Sequence, residues 1–156
     1  ELNNVPRAIR SFNQLIEYRS DKPVTDEPRV AALIGKARTL YQGKKFEESI
    51  EVYRQVPRDT SLWHETLFES SWAMLRSGKF RTSLSNFQSL HSPYYRTSYL
   101  PESLLLRSIV YLYICKYDEM EKVLNLYENI YIKNSLEFIH KNYIKNNEEY
   151  FNLGKY

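Results

Sequence analysis

The sequence predicts an all-α fold in which similar pairs of helices stack side by side. The chain has 156 residues but only 4 Gly and 6 Pro, so short connections between helices are favoured over the many turns of a β fold. Its 42% hydrophobic and 26% charged residues are typical of one globular domain with a core. One phrase also recurs three times, as QGKKFEESIEVY, RSGKFRTSLSNF and CKYDEMEKVL.

Each phrase reads as the end of one helix, a tight turn, an aromatic residue and the start of a second helix. The phrases align on Phe46, Phe80 and Tyr117, which are 34 and 37 residues apart. Large and small residues then recur at spacings of three and four, which place side chains on one face of a helix. In register order they are Leu33, Leu67 and Leu104; Ala37, Ser71 and Ser108; Leu40, Met74 and Tyr111; Ile50 and Leu84, with Glu121 as the exception; and Tyr53, Phe87 and Leu124.

The small residues in this pattern have a steric reason. Where two helices cross closely, a large side chain would hold their axes apart. Each repeat is therefore predicted to be a pair of amphipathic helices joined by a tight turn. Because one pair cannot bury its apolar face alone, the pairs are expected to stack on each other.

The predicted elements follow in order along the chain. Residues 1–22 keep the rhythm of a second helix and are interpreted as the back half of an earlier repeat. Three repeats follow at residues 27–57, 61–91 and 101–131, and residues 133–153 are predicted to cap the open end of the stack. The chain does not begin with Met, so we expect it to be part of a longer protein; a signal peptide, a lipid anchor and a further domain all remain open.

The pattern resembles the tetratricopeptide repeat, a helix pair of about 34 residues with a small residue in its first helix, a Gly at the turn and an Ala-x-x-x-Phe pattern in its second. The second repeat matches best; the first has Gly43 one residue early, and the third has Cys115 for the turn Gly and Met120 for the small residue. The resemblance covers residues 27–131 and implies an α-solenoid wound into a right-handed superhelix. The matching residues are Ala37, Phe46, Ser49 and Tyr53; Ser71, Gly78, Phe80, Ser83 and Phe87; and Ser108, Tyr111 and Tyr117.

Two stretches carry a finer resemblance. The phrases LFESSWAMLRSGKF and SPYYRTSYLPESLLLRS look more like the cell-envelope tetratricopeptide proteins of Gram-negative bacteria than like eukaryotic co-chaperones. This resemblance implies a bacterial protein of the periplasm or cell envelope, with the cytoplasm open as an alternative. No apolar run reaches the roughly 18 residues that a membrane-spanning helix requires.

The sequence contains no motif that predicts catalysis or a cofactor. His64, His91 and His140 are far apart and form no metal-binding pair, and Cys115 is the only cysteine. A phosphate-binding glycine loop and a nucleophile motif are also absent. The net charge is +3 with both signs interspersed, which argues against a nucleic-acid surface. We therefore expect no catalytic residue, no metal, no cofactor and no nucleic-acid partner.

The resemblance also implies a concave groove lined by the first helices of the repeats. A groove of this composition suits an extended or helical peptide with apolar anchors and a carboxylate, which Arg38 and Arg76 would bind. The alternative is that a helix of the same chain fills the groove and that Phe68, Trp72 and Ile109 are partly buried core. The predicted partner-binding residues are Arg38, Tyr41, Phe68, Trp72, Arg76, Leu105, Ile109 and Tyr113, together with Ile34, Gln42, Leu75 and Leu112.

An insertion, HSPYYRTSYLP, lengthens the spacing between the second and third repeats. Pro93 and Pro101 bracket it, which predicts an ordered loop rather than a continuing helix. Its Tyr94, Tyr95 and Tyr99 are candidates for a second contact surface, since aromatic residues are enriched in binding hot spots. Equally, these side chains could cover the apolar gap that the wider spacing opens.

These observations favour a non-catalytic scaffold that binds a protein or peptide and assembles partners in a larger protein or complex. The first alternative is a regulatory or accessory domain of an enzyme whose active site lies outside this segment. A weaker alternative is a nucleic-acid binder, whose affinity would fall steeply with salt.

Overall fold

The structure, a computed structural model, describes residues 4–92, 95 and 101–133. Over these residues the predicted all-α class is confirmed, because seven α-helices and no β-strand are present. The predicted capping helix at 133–153 lies, apart from Lys133, outside the described residues. The helices are α1 (Val5–Tyr18), α2 (Glu27–Gln42), α3 (Phe46–Tyr53), α4 (Trp63–Arg76), α5 (Phe80–Leu90), α6 (Pro101–Tyr113) and α7 (Tyr117–Tyr127), followed by a π-helical segment (Glu128–Lys133).

The chain forms two compact units, residues 1–99 and 100–156. In the first unit, each helix from α1 to α5 packs against the next one along the chain, and in the second unit α6 packs against α7. The main core of the first unit lies between α1, α2, α3 and the start of α4. Its buried residues are Val30, Leu33, Ile34, Ala37, Leu40, Val52, Tyr53 and Val56, and Ile9, Ile16, Leu62 and Trp63 pack against them.

Small residues lie at the helix crossings, as the repeat pattern predicts. Ala37 and Ser71 are fully buried, with 0% of their surface exposed. In the first two pairs the second helix adds a hydrogen bond there: Ser49 Oγ donates to the Ala37 carbonyl at 2.8 Å, and Ser83 Oγ donates to the Ser71 carbonyl at 3.1 Å. Both bonds join residues twelve apart in sequence, so the two pairs cross in the same register.

The three turns between paired helices share one backbone geometry. In the first, the Lys44 amide donates to the Tyr41 carbonyl and the Lys45 amide donates to the Leu40 carbonyl, both at 2.9 Å. This pair of bonds is the Schellman motif, which ends a helix with one residue in the left-handed region. The left-handed residues are Lys44 (φ 60°), Gly78 (φ 76°) and Cys115 (φ 56°).

The first turn thus explains the offset of Gly43 from the repeat pattern. Gly43 has a φ of −74°, which any residue adopts, and the left-handed position falls on Lys44. All three left-handed residues stand two positions before the aromatic on which the repeats align. The turns predicted near Gly43, Gly78 and Cys115 are present, and only the second has glycine where the backbone favours it.

The N-terminal helix is fixed to α2 by a close contact and an ion pair. A Cβ added to Gly35 would lie 2.5 Å from the Phe12 ring, so the glycine lets this ring lie directly on α2. At the corner between the helices, Arg19 donates to both carboxylate oxygens of Asp26, at 2.6 and 3.0 Å. Asp26 also caps α2 by accepting from the Arg29 amide at 3.2 Å, and the hydrogen bonds from Arg19 hold its pKa below the usual value.

None of the helices in the described part of the chain combines the length and the apolar character that crossing a membrane requires.

Replacing Ser71 with Leu tests the helix crossing. Because Ser71 is fully buried beside Ser83, a leucine would force the helices apart, and we expect the free energy of unfolding to fall by about 1–3 kcal/mol. Urea denaturation measures this change. Ser85→Leu, on the exposed side of α5, is the control and should alter stability by less than about 0.5 kcal/mol. An unchanged stability for Ser71→Leu would contradict the crossing.

Replacing Lys44 with Gly tests the left-handed turn. The left-handed backbone disfavours a residue with a Cβ by about 1–2 kcal/mol, and glycine's greater freedom in the unfolded chain offsets part of the gain. We therefore expect Lys44→Gly to raise the free energy of unfolding by about 0.5–1 kcal/mol, measured by thermal or urea denaturation.

Gly78→Ala is the matched control for the turn geometry. An added Cβ at Gly78 meets no heavy atom within 4 Å, so the substitution changes only the backbone preference, and we expect it to destabilise by about 1 kcal/mol. If Gly78→Ala destabilises but Lys44→Gly does not stabilise, the assignment of Lys44 to the left-handed position is wrong.

Candidate functional site

A cleft opens in the first unit between α2, α3 and α4. Its volume is about 380 Å³. Arg38, Tyr41 and Gln42 of α2, Tyr53 of α3, and Glu69 and Trp72 of α4 line it. Three of these six side chains are aromatic, and Tyr41 and Trp72 are half-buried. Such a cleft offers flat apolar walls with a small number of fixed polar groups, which is the usual composition of a recognition site.

The polar side of the cleft is a network of three side chains. Arg38 Nε donates to Glu69 Oε2 at 2.8 Å, and its Nη2 donates to Oε1, so the guanidinium and the carboxylate form a two-pronged pair. The hydroxyl of the buried Tyr53 donates to Glu69 Oε2 at 2.8 Å. A second carboxylate, Glu65, lies 3.6 Å from Arg38 Nη2. Two negative charges therefore stand beside one positive charge.

This environment shifts the pKa values of two members of the network. Burial, and secondarily the charge of Glu69, raises the pKa of Tyr53 well above its ordinary value. The hydrogen bonds to Glu69 raise the pKa of Arg38 further. At neutral pH Tyr53 is thus a neutral hydroxyl that can donate to Glu69, and Arg38 is a cation. The two donors hold the Glu69 carboxylate in one position.

At the C-terminal end of α4, Arg76 lies over an aromatic pair. Its guanidinium carbon is 5.2 Å from the centroid of the Phe46 ring. The Phe46 ring in turn contacts Tyr41 edge-on, with centroids 5.3 Å apart and planes at 61°. Arg76 is exposed, and this cation–π contact orients its head next to the aromatic wall of the cleft.

The structure brings Arg38, Tyr41 and Trp72 together in one cleft, as the groove hypothesis expects, with Gln42 beside them. The guanidinium of Arg38 is already bound to Glu69, so a partner's carboxylate would have to compete with this pair. The expectation that Ile34 faces a groove is wrong: Ile34 is 3% exposed and belongs to the core. Phe68 and Leu75 are half-buried on α4.

The remaining predicted positions lie elsewhere. Leu105, Ile109, Leu112 and Tyr113 form an exposed apolar stripe on α6 in the second unit. Tyr95 lines a different cavity of the first unit, beside α5. Tyr94 and Tyr99 lie outside the described residues.

Sequence reasoning missed Glu65, Glu69 and the hydroxyl of Tyr53. The position of Glu69 beside Arg38 could have been predicted from the register of the repeats. Trp72 is equivalent to Arg38 one repeat later, so Glu69 stands one turn before Trp72 on the same face, where it meets the first helix of the preceding repeat. The repeat pattern predicts Tyr53 only as a core residue, because its ring fits the apolar pattern and its hydroxyl has no counterpart in Phe87 or Leu124.

Within the described residues, no group of three or more His, Cys, Asp or Glu side chains comes together as a metal ion would require. Comparison with known proteins finds no matching family model, no matching curated protein and no matching solved structure.

Replacing Tyr53 with Phe tests the network. The variant keeps the buried ring but removes the hydrogen bond to Glu69, and we expect the free energy of unfolding at pH 7 to fall by about 1–2 kcal/mol. The pKa of Tyr53 is raised by folding, so its contribution is complete below pH 10 and is lost as pH rises further. The difference between wild type and variant should therefore narrow above pH 10, as urea denaturation at several pH values measures.

Tyr41→Phe is the matched control. Tyr41 lines the same cleft, but its hydroxyl makes no hydrogen bond within the described residues, so its removal should change stability by less than about 0.5 kcal/mol. Equal effects of the two substitutions, or a difference that does not depend on pH, would contradict the role of the Tyr53 hydroxyl.

Proposed function

We propose that this protein is a non-catalytic interaction module that binds a peptide or a partner helix in the cleft between α2, α3 and α4. The main support for this proposal is the cleft itself, in which the half-buried aromatic side chains of Tyr41 and Trp72 lie beside the ion pair of Arg38 and Glu69. Half-buried aromatic residues in a concave site are the typical anchors of protein recognition, since they offer a large apolar area at a small entropy cost.

The architecture that we propose for this module is an α-solenoid of tetratricopeptide-like helix pairs in a right-handed superhelix. Two recurrences support it. The left-handed turn residue occupies the same repeat position at Lys44, Gly78 and Cys115. The serine-to-carbonyl bond at the helix crossing recurs from Ser49 to Ser83. Repeated geometry at repeated sequence positions is what a stack of equivalent units requires.

Replacing Trp72 with Ala tests the binding function. The full chain is immobilised and used to select from a displayed library of random peptides, and the affinity of the selected peptides is measured for wild type and variant. We expect Trp72→Ala to weaken them by about 2 kcal/mol or more, roughly 30-fold, because it removes an aromatic anchor. Circular dichroism should show that the helical content is retained.

Tyr18→Ala is the control variant for this experiment. Tyr18 is also aromatic, but it lies at the end of α1, 79% exposed and outside the cleft, so its removal should leave peptide binding unchanged. Trp72→Phe keeps a ring at the anchor position and should bind with intermediate affinity. If Trp72→Ala binds the selected peptides as well as wild type, the cleft is not the binding site; if it unfolds the protein, Trp72 is a core residue.

A further inference from the structure

We infer that the cleft selects a peptide segment with charges of opposite sign on the two sides of its apolar anchor, the basic side at Glu65 and the acidic side at Arg76. This inference rests on the proposed function and specifies the chemistry of the partner. It follows from the distribution of charge along α4, which carries carboxylates in its first half and a guanidinium at its end.

The end of the cleft near Glu65 has an unbalanced negative charge. Glu69 is saturated, because both of its oxygens accept from Arg38 and one also accepts from Tyr53. Glu65 makes only a long contact of 3.6 Å to Arg38, and its side chain is 43% exposed. Its carboxylate can therefore accept hydrogen bonds from a lysine or arginine of a partner without breaking the existing pair.

The opposite end has an unbalanced positive charge. Arg76 is exposed, and no carboxylate of the described residues lies within 4 Å of its guanidinium nitrogens. Its contact with the Phe46 ring holds the head beside Tyr41 and leaves the N–H groups able to donate. A partner's carboxylate would meet Arg76 rather than Arg38, because the charge of Arg38 is already paired with the Glu69 carboxylate.

The geometry of α4 sets the spacing that the partner must have. At 1.5 Å per residue, Glu65 and Arg76 are about 16 Å apart along the helix axis, and Trp72 lies about 6 Å from Arg76 and about 10 Å from Glu65. An extended peptide advances about 3.3 Å per residue. Its acidic residue should therefore stand about two positions from the apolar anchor, and its basic residue about three positions on the other side. A peptide bound in either chain direction satisfies this spacing.

The experiment uses the same displayed library of random peptides, selected on the full chain. Peptides that bind wild type but not Trp72→Ala are called Trp72-dependent, and sequencing them shows which charged residues flank their apolar anchor. We expect a basic residue on one flank and an acidic residue on the other, each enriched at least threefold over the library. Selection in 0.5 M salt should reduce both enrichments, because exposed charges are screened. Two variants of the charged residues at the cleft rim, Glu65 and Arg76, test each end of the cleft separately. Glu65→Gln should abolish only the enrichment of basic residues, and Arg76→Gln should abolish only the enrichment of acidic residues.

Matched variants control for charge in general. Arg76→Lys keeps the positive charge and should keep the acidic enrichment. Glu121→Gln and Arg81→Gln remove exposed charges on α7 and α5, outside the cleft, and should change neither flank. Circular dichroism of each variant confirms that the helices are retained, so that a lost enrichment reports on the rim and not on folding.

The outcomes distinguish this inference from the function on which it rests. Trp72-dependent peptides without a charge bias, or with a bias that both rim variants retain, overturn the inference and leave the proposed function standing. A failure to obtain any Trp72-dependent peptide overturns both. Block of the selected peptides by a synthetic copy of residues 134–156, or by self-association of the protein at higher concentration, would assign the cleft to that occupant and overturn the inference.

Discussion

The close crossing of paired helices at small buried residues is the constraint on which the rest of the first unit depends. Ala37 and Ser71 let the helix axes approach, and the hydroxyls of Ser49 and Ser83 then reach the carbonyls of these residues. Side-chain hydrogen bonds of this kind fix the rotation and the sliding of one helix against its partner, which apolar packing alone leaves less defined. The crossing is thus specified by geometry as well as by burial.

The shape of the cleft depends on the crossing of α2 and α3. Ser49 and Tyr53 are four residues apart on α3 and share a face, so the register that places Ser49 at the Ala37 carbonyl also directs the Tyr53 hydroxyl to Glu69. Glu69 also binds Arg38, so hydrogen bonds within the first unit hold the polar side of the cleft in place. Preorganised polar groups lose less entropy on binding than mobile ones do, so this ion pair would favour the peptide binding that we propose.

The sequence predicts the helices, the turns and the small crossing residues well, because each depends on local spacing. Periodicity of three and four predicts the recurring buried positions of α2 and α4. Both helices also bury residues outside that pattern, among them Ile34, which the resemblance places in the groove. The close approach of α1 to α2 depends on Gly35 and Phe12, which lie in different helices, and no local pattern reports such a contact.

The charge pattern of the site was harder to predict than its aromatic residues. Arg38 and Glu69 are 31 residues apart, and their long side chains reach a partner only after the helices have packed. A sequence shows that both charges exist but not which of them neutralise each other. The charges of Glu65 and Arg76 stand out as unbalanced only after the ion pairs of the folded chain, such as that of Arg38 with Glu69, have been identified.

The lack of any buried residue on α1 bears on how the first unit opens. Its attachment to α2 depends on half-buried side chains such as Phe12 and on the ion pair between Arg19 and Asp26, whereas α2 contributes six buried residues. Segments with few buried apolar contacts unfold locally at a lower free energy than the rest of a domain. We therefore expect α1 to unfold locally at a lower free energy than α2, α3 and α4, whose side chains line the cleft, so that the cleft can remain assembled during fluctuations that release α1.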